Sequence, residues 1–183
     1  SDKSVRLQVF RVTAFDGEAH GAEGQPTVWV WPKDLKNYAF PAANTPILKA
    51  AVLPEVYYIT PEAHEVGGDV VAWLQTRLQA GMMLCLRAKN LTKEDYLTLA
   101  QAIAALCVQH QVQLVLHHHI DLLAHIPSAI GVHLPFNELL LHHQKLADYQ
   151  LGKLHQHYLF VSAHNSQQLE QAWLCGADAA TLS

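Results

Sequence analysis

From residue 54 onwards, short apolar segments alternate with segments of helical periodicity, and this alternation restricts the fold more than any other feature of the sequence. The six predicted strands are Val56–Thr60, Met82–Leu86, Gln113–Leu116, Ala129–Leu134, Tyr158–Ser162 and Ala179–Leu182. The helical segments between them are Val70–Gln79, a helix from Thr92, Asp121–His125, Asn137–Ala147 and Ser166–Cys175. Strands joined by crossover helices form parallel sheets. Because no Gly-rich dinucleotide motif follows the first strand, the pattern favours a (βα)8 TIM barrel over a doubly wound sheet.

A closed barrel of this kind has eight strands, whereas the sequence ends on the sixth predicted strand. An open barrel would leave two long strand edges unpaired, which native proteins avoid. We therefore expect residues 54–183 to be an incomplete barrel of about six βα units that lacks its last strands.

Residues 1–53 follow a different pattern. The alternation over Ser4–Phe15 and the aromatic run Thr27–Trp31 predict two strands, with a Gly-rich stretch between them. A helical turn is predicted near Asp34 and a short apolar helix over Ile47–Val52. We expect residues 1–53 and residues 54–183 to belong to different domains, and the first segment alone is too short for a stable core.

The composition excludes several classes of function. The net charge of -4 gives no indication of nucleic acid or an anionic membrane as a partner. No apolar run reaches the roughly 18 residues that a membrane span requires, and no signal peptide is recognisable. Cys85, Cys107 and Cys175 are odd in number and widely spaced, which favours reduced thiols in a cytoplasmic protein.

Polar residues follow the predicted strands at their carboxyl ends, where the active sites of βα-barrels lie. These segments are Tyr58–Thr60, Leu86–Asn90, Leu116–Asp121, Gly131–Leu134 and Val161–His164. Arg87 offers a planar fork for phosphate oxygens, and Lys89 places a point charge two residues away. Ser162 can donate to a phosphate, and His164 can transfer a proton.

In this order and at these spacings, the motifs resemble the thiamine-phosphate synthase/TenI family over residues 54–183. The resemblance implies a reaction in which thiazole phosphate displaces pyrophosphate from a pyrimidine carbinol, or the isomerisation of a thiazole carboxylate phosphate in the TenI branch. It implies that Arg87, Lys89, His117 and Ser162 bind thiazole phosphate and the pyrimidine pyrophosphate. His164 and Ser162 are the implied catalytic residues, and we consider a homo-oligomer as the assembly.

The sequence departs from the family pattern at the positions expected to hold Mg²⁺. The family's asparagine-aspartate pair is His117-His118 here, the second metal carboxylate aligns with Glu138, and a family glutamine is Cys85. Oxygen ligands suit Mg²⁺ and imidazoles do not. These departures favour a TenI-like or altered activity over the synthase. The alternative is a non-catalytic module that binds a thiamine-pathway phosphate or serves as a scaffold.

Residues 1–53 resemble the C-terminal half of a MutT-type Nudix hydrolase, a family that removes pyrophosphate from oxidised guanine nucleotides such as 8-oxo-dGTP and so limits DNA damage. The matching segments are Glu18–Pro26, Trp29–Val30 and Phe40–Ile47. The resemblance implies that Glu23 lies near the catalytic Mg²⁺ and that Asn44 reads the purine edge of a nucleoside triphosphate. Because the Nudix box itself would lie upstream of Ser1, we expect this chain alone not to hydrolyse nucleotides. The native protein is then expected to be a bifunctional fusion.

Less specific interpretations accompany these assignments. In an extended strand His117 and His119 share one face and His118 the other, so the three histidines do not favour a dedicated metal site. His133 is interpreted as structural rather than catalytic. The four tryptophans, Trp29, Trp31, Trp73 and Trp173, are predicted to pack in the core or against helices.

Overall fold

The computed structural model describes residues 8–10, 12–141 and 157–182. Contacts within the chain divide it into two units, Ser1–Leu53 and Pro54–Ser183, which are described separately below. None of the described helices combines the length and the hydrophobicity needed to cross a membrane.

The first unit is helical where it is regular. Two 3-10 segments, Pro32–Asn37 and Ala42–Asn44, precede helix α1 (Thr45–Val52), so the predicted helical turn and short helix are both confirmed. The two predicted strands are wrong for the part of this unit that the structure describes, since none of its residues is extended in a sheet. A strand needs a neighbouring strand to receive its backbone hydrogen bonds, and the pattern alone does not supply one. The described residues therefore do not show the α+β Nudix fragment that the sequence suggests.

The aromatic residues of the first unit are mostly solvent-exposed. Trp29 and Trp31 are 75% and 74% exposed, and the Trp29 ring stacks on Phe15 with their centroids 5.4 Å apart. The prediction that these two tryptophans pack in a core is therefore wrong. In the second unit Trp173 is also largely exposed, whereas Trp73 packs against the core.

The second unit is built on one parallel six-stranded sheet in the order β1-β2-β3-β4-β5-β6. Its strands are β1 (Tyr57–Ile59), β2 (Met83–Leu86), β3 (Gln113–His117), β4 (Ala129–Pro135), β5 (Tyr158–Ala163) and β6 (Ala179–Leu182). Each strand pairs in parallel with the strand that follows it in sequence. All six predicted strands are confirmed, and the sheet is a half-barrel of the TIM-barrel type.

Helices connect the strands as crossovers. They are α2 (Val70–Gln75), α3 (Lys93–His110), α4 (residues 136–141 of the described chain) and α5 (Ser166–Leu174), with 3-10 segments at Ala63–Val66 and Ile120–His125. The side chains of Asp69, Thr92 and Asn165 cap α2, α3 and α5 by accepting a backbone N–H. The predicted start of a helix at Thr92 is confirmed, since Thr92 is the N-cap of α3. Helix α2 ends at Gln75 rather than at Gln79, and the predicted continuation of α4 beyond residue 141 lies outside the described residues.

The two faces of the sheet bury different kinds of side chain. Leucine and valine side chains on one face form the core with the helices: Leu84, Leu86, Leu114, Leu116, Val132, Leu134, Leu159 and Val161. Successive residues of a strand point to opposite faces, so Cys85, Val115, His133 and Phe160 lie on the other face. Burying each of the large apolar side chains stabilises the unit by roughly 2 kcal/mol. The helix-covered face therefore forms the apolar cluster with the helices, and the other face buries His133 beside Cys85, Val115 and Phe160.

Candidate active site

The structure places most of the sequence-predicted site residues at one edge of the sheet. Arg87 and Lys89 follow β2, His117 ends β3, Ser162 lies in β5 and His164 follows it. The strands are all parallel, so their carboxyl ends meet at the same edge. The charges of Arg87 and Lys89 both act on the His117 imidazole, which shows that β2 and β3 bring these three residues into one neighbourhood.

Hydrogen bonds from Thr60 and Glu62 fix the backbone that carries the two cations. The hydroxyl of Thr60 accepts the N–H of Arg87 at 2.8 Å and donates to its carbonyl at 3.0 Å. The N–H of Lys89 donates to the Glu62 carboxylate at 3.4 Å. The backbone is thus anchored, while within the described chain no carboxylate forms an ion pair with the Arg87 or Lys89 side chain. Both cations are available to an anionic ligand.

Tyr96 of α3 fixes the backbone of His117. The Tyr96 hydroxyl accepts the N–H of His117 at 2.9 Å and donates to the carbonyl of Leu86 at 2.8 Å. It therefore ties the end of β3 to the end of β2 from the helix side. Burial, and then the neighbouring His118, His133, Arg87 and Lys89, lower the pKa of His117 to about 3. At neutral pH this imidazole is uncharged and has one N–H to donate.

His118 departs from the strand geometry that the sequence suggests. Strand β3 ends at His117, and His118 adopts a left-handed backbone conformation with φ 68°. Its ring consequently lies beside that of His117, with the centroids 4.4 Å apart, whereas His119 packs against Tyr96 at 4.3 Å. The prediction that His117 shares a face with His119 rather than His118 is therefore wrong. Burial and the charge of Lys89 lower the pKa of His118, while Glu138 opposes the shift.

A buried hydrogen-bonded chain crosses the sheet from β1 to β5. His133, only 1% exposed, joins its Nδ1 to the Tyr57 hydroxyl at 2.6 Å and its Nε2 to the Ser162 hydroxyl at 2.8 Å. Burial first, and then His118, lower the pKa of His133 to about 4, so the ring is neutral at physiological pH. Burial raises the pKa of Tyr57, and Cys85 adds to the effect. The two hydrogen bonds connect His133 to Tyr57 and to Ser162, and the structural role of His133 stays a prediction.

Sequence reasoning missed Tyr57, Thr60 and Tyr96 as supporting residues. The predicted strand-end segment begins at Tyr58, whose side chain lies on the face opposite to that of Tyr57 and is exposed. The two-residue period of the strand, continued back from Ile59, was the signal that could have identified Tyr57. For Tyr96 no such signal exists, because its hydroxyl serves residues 10 and 21 positions away in sequence.

The other residues predicted from the sequence take no part in the hydrogen bonds that join Tyr57, His133 and Ser162. His164 is exposed, and its backbone N–H donates to Gln168 at 2.9 Å. Glu138 lies in α4, where its charge acts on His118. In the first unit, Glu23 is exposed and accepts a hydrogen bond from Gln25 at 3.0 Å, while Asn44 precedes α1. No hydrogen bond among the described residues joins Glu23 to Asn44, so their roles stay predictions.

The donor set does not match a magnesium site. Imidazoles occupy the two positions where an asparagine and an aspartate are expected, and the charge of Glu138 acts on His118, one of the two. In the part of the chain that the structure describes, no three His, Cys, Asp or Glu side chains are grouped as metal ligands. Mg²⁺ is held by oxygen ligands in octahedral geometry, and these residues do not provide them.

The fold and the site define an α/β protein of the TIM-barrel type with cations and histidines at the carboxyl edge of its sheet. A family model described as "Thiamine monophosphate synthase" matches residues 56–183. The chain therefore belongs to the thiamine monophosphate synthase family.

A solved structure shares the fold. The second unit is similar to thiamine phosphate pyrophosphorylase from Pyrococcus furiosus, with a TM-score of 0.55 and 14% sequence identity. The match covers 72% of this chain and 60% of that protein, so the chain spans about three fifths of the length of this relative. The search of curated proteins found no match.

Proposed function

We propose that the second unit binds phosphorylated thiazole and acts on it as a thiamine-phosphate synthase-like transferase or as a TenI-like tautomerase. The observation that carries the proposal is the convergence of Arg87 and Lys89, both without an ion pair among the described residues, with His117 at one edge of the sheet. A phosphate or a departing pyrophosphate requires this combination of positive charge and hydrogen-bond donors.

Arg87 and Lys89 differ in how they bind the oxygens of the pyrophosphate. In the transferase reaction the thiazole nitrogen bonds to the pyrimidine methylene carbon as the carbon–oxygen bond to pyrophosphate breaks. Negative charge then develops on the pyrophosphate oxygens. Arg87 binds two of those oxygens through its planar fork, and Lys89 adds a point charge beside it. Thr60 keeps the backbone of Arg87 in place, so little reorganisation is needed as the charge develops.

Ser162 donates a hydrogen bond to the ligand in this proposal. If the Tyr57 hydroxyl donates to Nδ1 of His133, the Nε2–H of His133 donates to Ser162. The hydroxyl proton of Ser162 then remains available to a substrate oxygen or ring nitrogen. In the tautomerase reaction His164, exposed at the end of β5, takes a proton from one position of the substrate and returns it at another.

Calorimetric titrations of the whole chain with thiazole phosphate and, separately, with the pyrimidine pyrophosphate test the proposal. Arg87→Ala should weaken binding of the pyrimidine pyrophosphate roughly 10- to 100-fold, because it removes a charged hydrogen-bonding partner. Lys93→Ala is the matched control, since Lys93 is already paired with Asp121 and should leave binding unchanged. Absence of binding by the parent chain, or equal effects of the two variants, would contradict the proposal. Adding the pyrimidine pyrophosphate and following thiamine phosphate then separates transferase from tautomerase.

A non-catalytic module that binds a thiamine-pathway phosphate is the second candidate. The observation that favours it is the replacement of the expected carboxylate by His118, which leaves the cations in place but removes a metal ligand. Binding without turnover of either substrate supports this candidate. A chain that neither binds nor turns over the phosphates is a scaffold.

For residues 1–53 we retain the hypothesis of a MutT-type nucleotide-binding fragment that requires Mg²⁺. It rests on the sequence segments around Glu23 and Asn44 alone. The test is binding of 8-oxo-dGTP to the whole chain in the presence of Mg²⁺. Binding that Asn44→Ala abolishes supports the hypothesis, and the absence of binding contradicts it.

A further inference from the structure

We infer that the site at the carboxyl edge of the sheet binds a metal-free phosphate or pyrophosphate anion, with imidazole N–H groups replacing the divalent cation. This inference rests on the proposed function and specifies the form in which the site takes its ligand. It concerns a departure of this chain from its family, at His117 and His118.

The first support is the chemistry of the clustered rings. His117 lies 4.4 Å from His118 and 5.8 Å from His133, measured between ring centroids. Burial lowers the pKa of His117 well below the ordinary value, so its ring is neutral. Both ring nitrogens of His133 are already bonded, to Tyr57 and Ser162, so the donor to the anion is on His117. A neutral imidazole carries one N–H donor. An N–H group binds phosphate oxygen directly, whereas Mg²⁺ requires oxygen ligands that these rings lack.

The second support is the sign of the electrostatic potential. Burial is the largest cause of the lowered pKa of His117, and the positive charges of Arg87 and Lys89 lower it further. A neighbourhood that disfavours protonation of an imidazole also disfavours a divalent cation, and it favours an anion. At His118, by contrast, the negative charge of Glu138 raises the pKa by more than the charge of Lys89 lowers it, so the excess of positive charge lies at His117. The positive charge at the site thus comes from the side chains of Arg87 and Lys89.

The backbone at His118 permits a clean test. Its φ of 68° lies in the left-handed region, which asparagine and aspartate adopt more readily than other non-glycine residues. His118→Asp introduces the carboxylate expected of a metal site, and His118→Asn is its neutral counterpart of the same shape. Both variants should fold, and circular dichroism with thermal unfolding verifies that they do.

The experiment is calorimetric titration of the full chain with inorganic pyrophosphate, once in EDTA and once in excess Mg²⁺. The parent chain should bind pyrophosphate in EDTA at least as tightly as in Mg²⁺. His118→Asp should weaken binding in EDTA by roughly tenfold, because a carboxylate repels the anion, and Mg²⁺ should restore part of the loss. His118→Asn should stay within about threefold of the parent.

The outcomes separate this inference from the proposed function. Pyrophosphate binding that appears only with Mg²⁺ overturns the inference and leaves the proposed function standing. The same holds if His118→Asp binds as the parent does in EDTA, because His118 then does not face the anion. Absence of binding under both conditions, together with no binding of thiazole phosphate, overturns the proposed function itself.

Discussion

The two units of the chain contain similar apolar segments, yet only one of them buries these segments. In the second unit the strands pair side by side, and residues such as Leu114 are fully buried between sheet and helices. In the first unit, the segments around Val9 and Val28 have the composition of strands but remain exposed and unpaired within the described residues. An alternating pattern therefore predicts a strand only where a second strand is available to pair with it.

The largest expected difference between the units concerns truncation of apolar side chains. Leu114→Ala should lower the free energy of unfolding by about 4 kcal/mol, because a fully buried leucine leaves a cavity. Trp29→Ala should change it by less than about 0.5 kcal/mol, although it removes more atoms, because Trp29 is exposed. Urea denaturation followed by far-UV circular dichroism measures both. Equal losses would show that the first unit has a buried core.

Acid should destabilise the second unit through its buried histidines. The pKa values of about 3 for His117 and about 4 for His133 lie below the usual value of about 6.5. The unfolded chain therefore binds more protons than the folded chain as the pH falls below about 6.5. Their contribution to stability is complete above that pH and is lost towards pH 4 to 3. We expect the free energy of unfolding to fall by about 3 kcal/mol between about pH 7 and about pH 5.

Two variants identify the source of this pH dependence. Replacing both His117 and His133 by Asn should flatten the slope of unfolding free energy against pH. Replacing His20, which is exposed in the first unit, by Asn should leave the slope unchanged. A slope that survives the double substitution would assign the effect to other groups.

Loss of the buried Tyr96 hydroxyl should lower the free energy of unfolding by less than acid does and by more than loss of a helix cap. Tyr96→Phe leaves the N–H of His117 and the carbonyl of Leu86 without the partner they share, which should cost about 2 kcal/mol of unfolding free energy. The control in the first unit is Tyr38→Phe, whose exposed ring should make the change nearly neutral. Chemical denaturation measures both, and a neutral Tyr96→Phe would mean that water replaces the hydroxyl.

The smallest expected difference lies at the helix starts. Thr92 caps α3 by accepting the N–H of Asp95 at 3.1 Å, so Thr92→Ala should cost about 1 kcal/mol. Asn44 precedes α1 without a side-chain capping bond, and Asn44→Ala should cost only a few tenths of that amount. The shift in the urea midpoint reports both. A comparable loss for Asn44→Ala would reveal an interaction of its amide.

The sequence predicted the sheet well because local patterns and long-range pairing agree there. Strands as short as β2 and β6 were recognisable, since apolar runs recur between helices and parallel order follows from the crossovers. The start of α3 was also predictable, because the Thr92 cap is a local interaction. The strands assigned around Val9 and Val28 failed because pairing depends on residues distant in sequence.

The candidate site was predictable in position but not in detail. Arg87, Lys89 and Ser162 follow from the rule that parallel strands present their carboxyl ends together. The hydrogen bonds from His133 to Tyr57 and Ser162 join residues of three strands, so no local pattern contains them. The prediction of the face on which His118 lies was wrong, because the left-handed backbone of His118 ends the alternation of side chains along the strand.

That left-handed residue has a consequence at the level of the genetic code. Histidine codons differ from those of asparagine and aspartate only in their first base. The backbone at His118 already has the conformation that those two residues tolerate. A point mutation in the gene therefore reaches a neutral or an acidic side chain without crossing a misfolded intermediate. Selection can therefore change the side chain that faces the ligand at position 118 by a single nucleotide substitution.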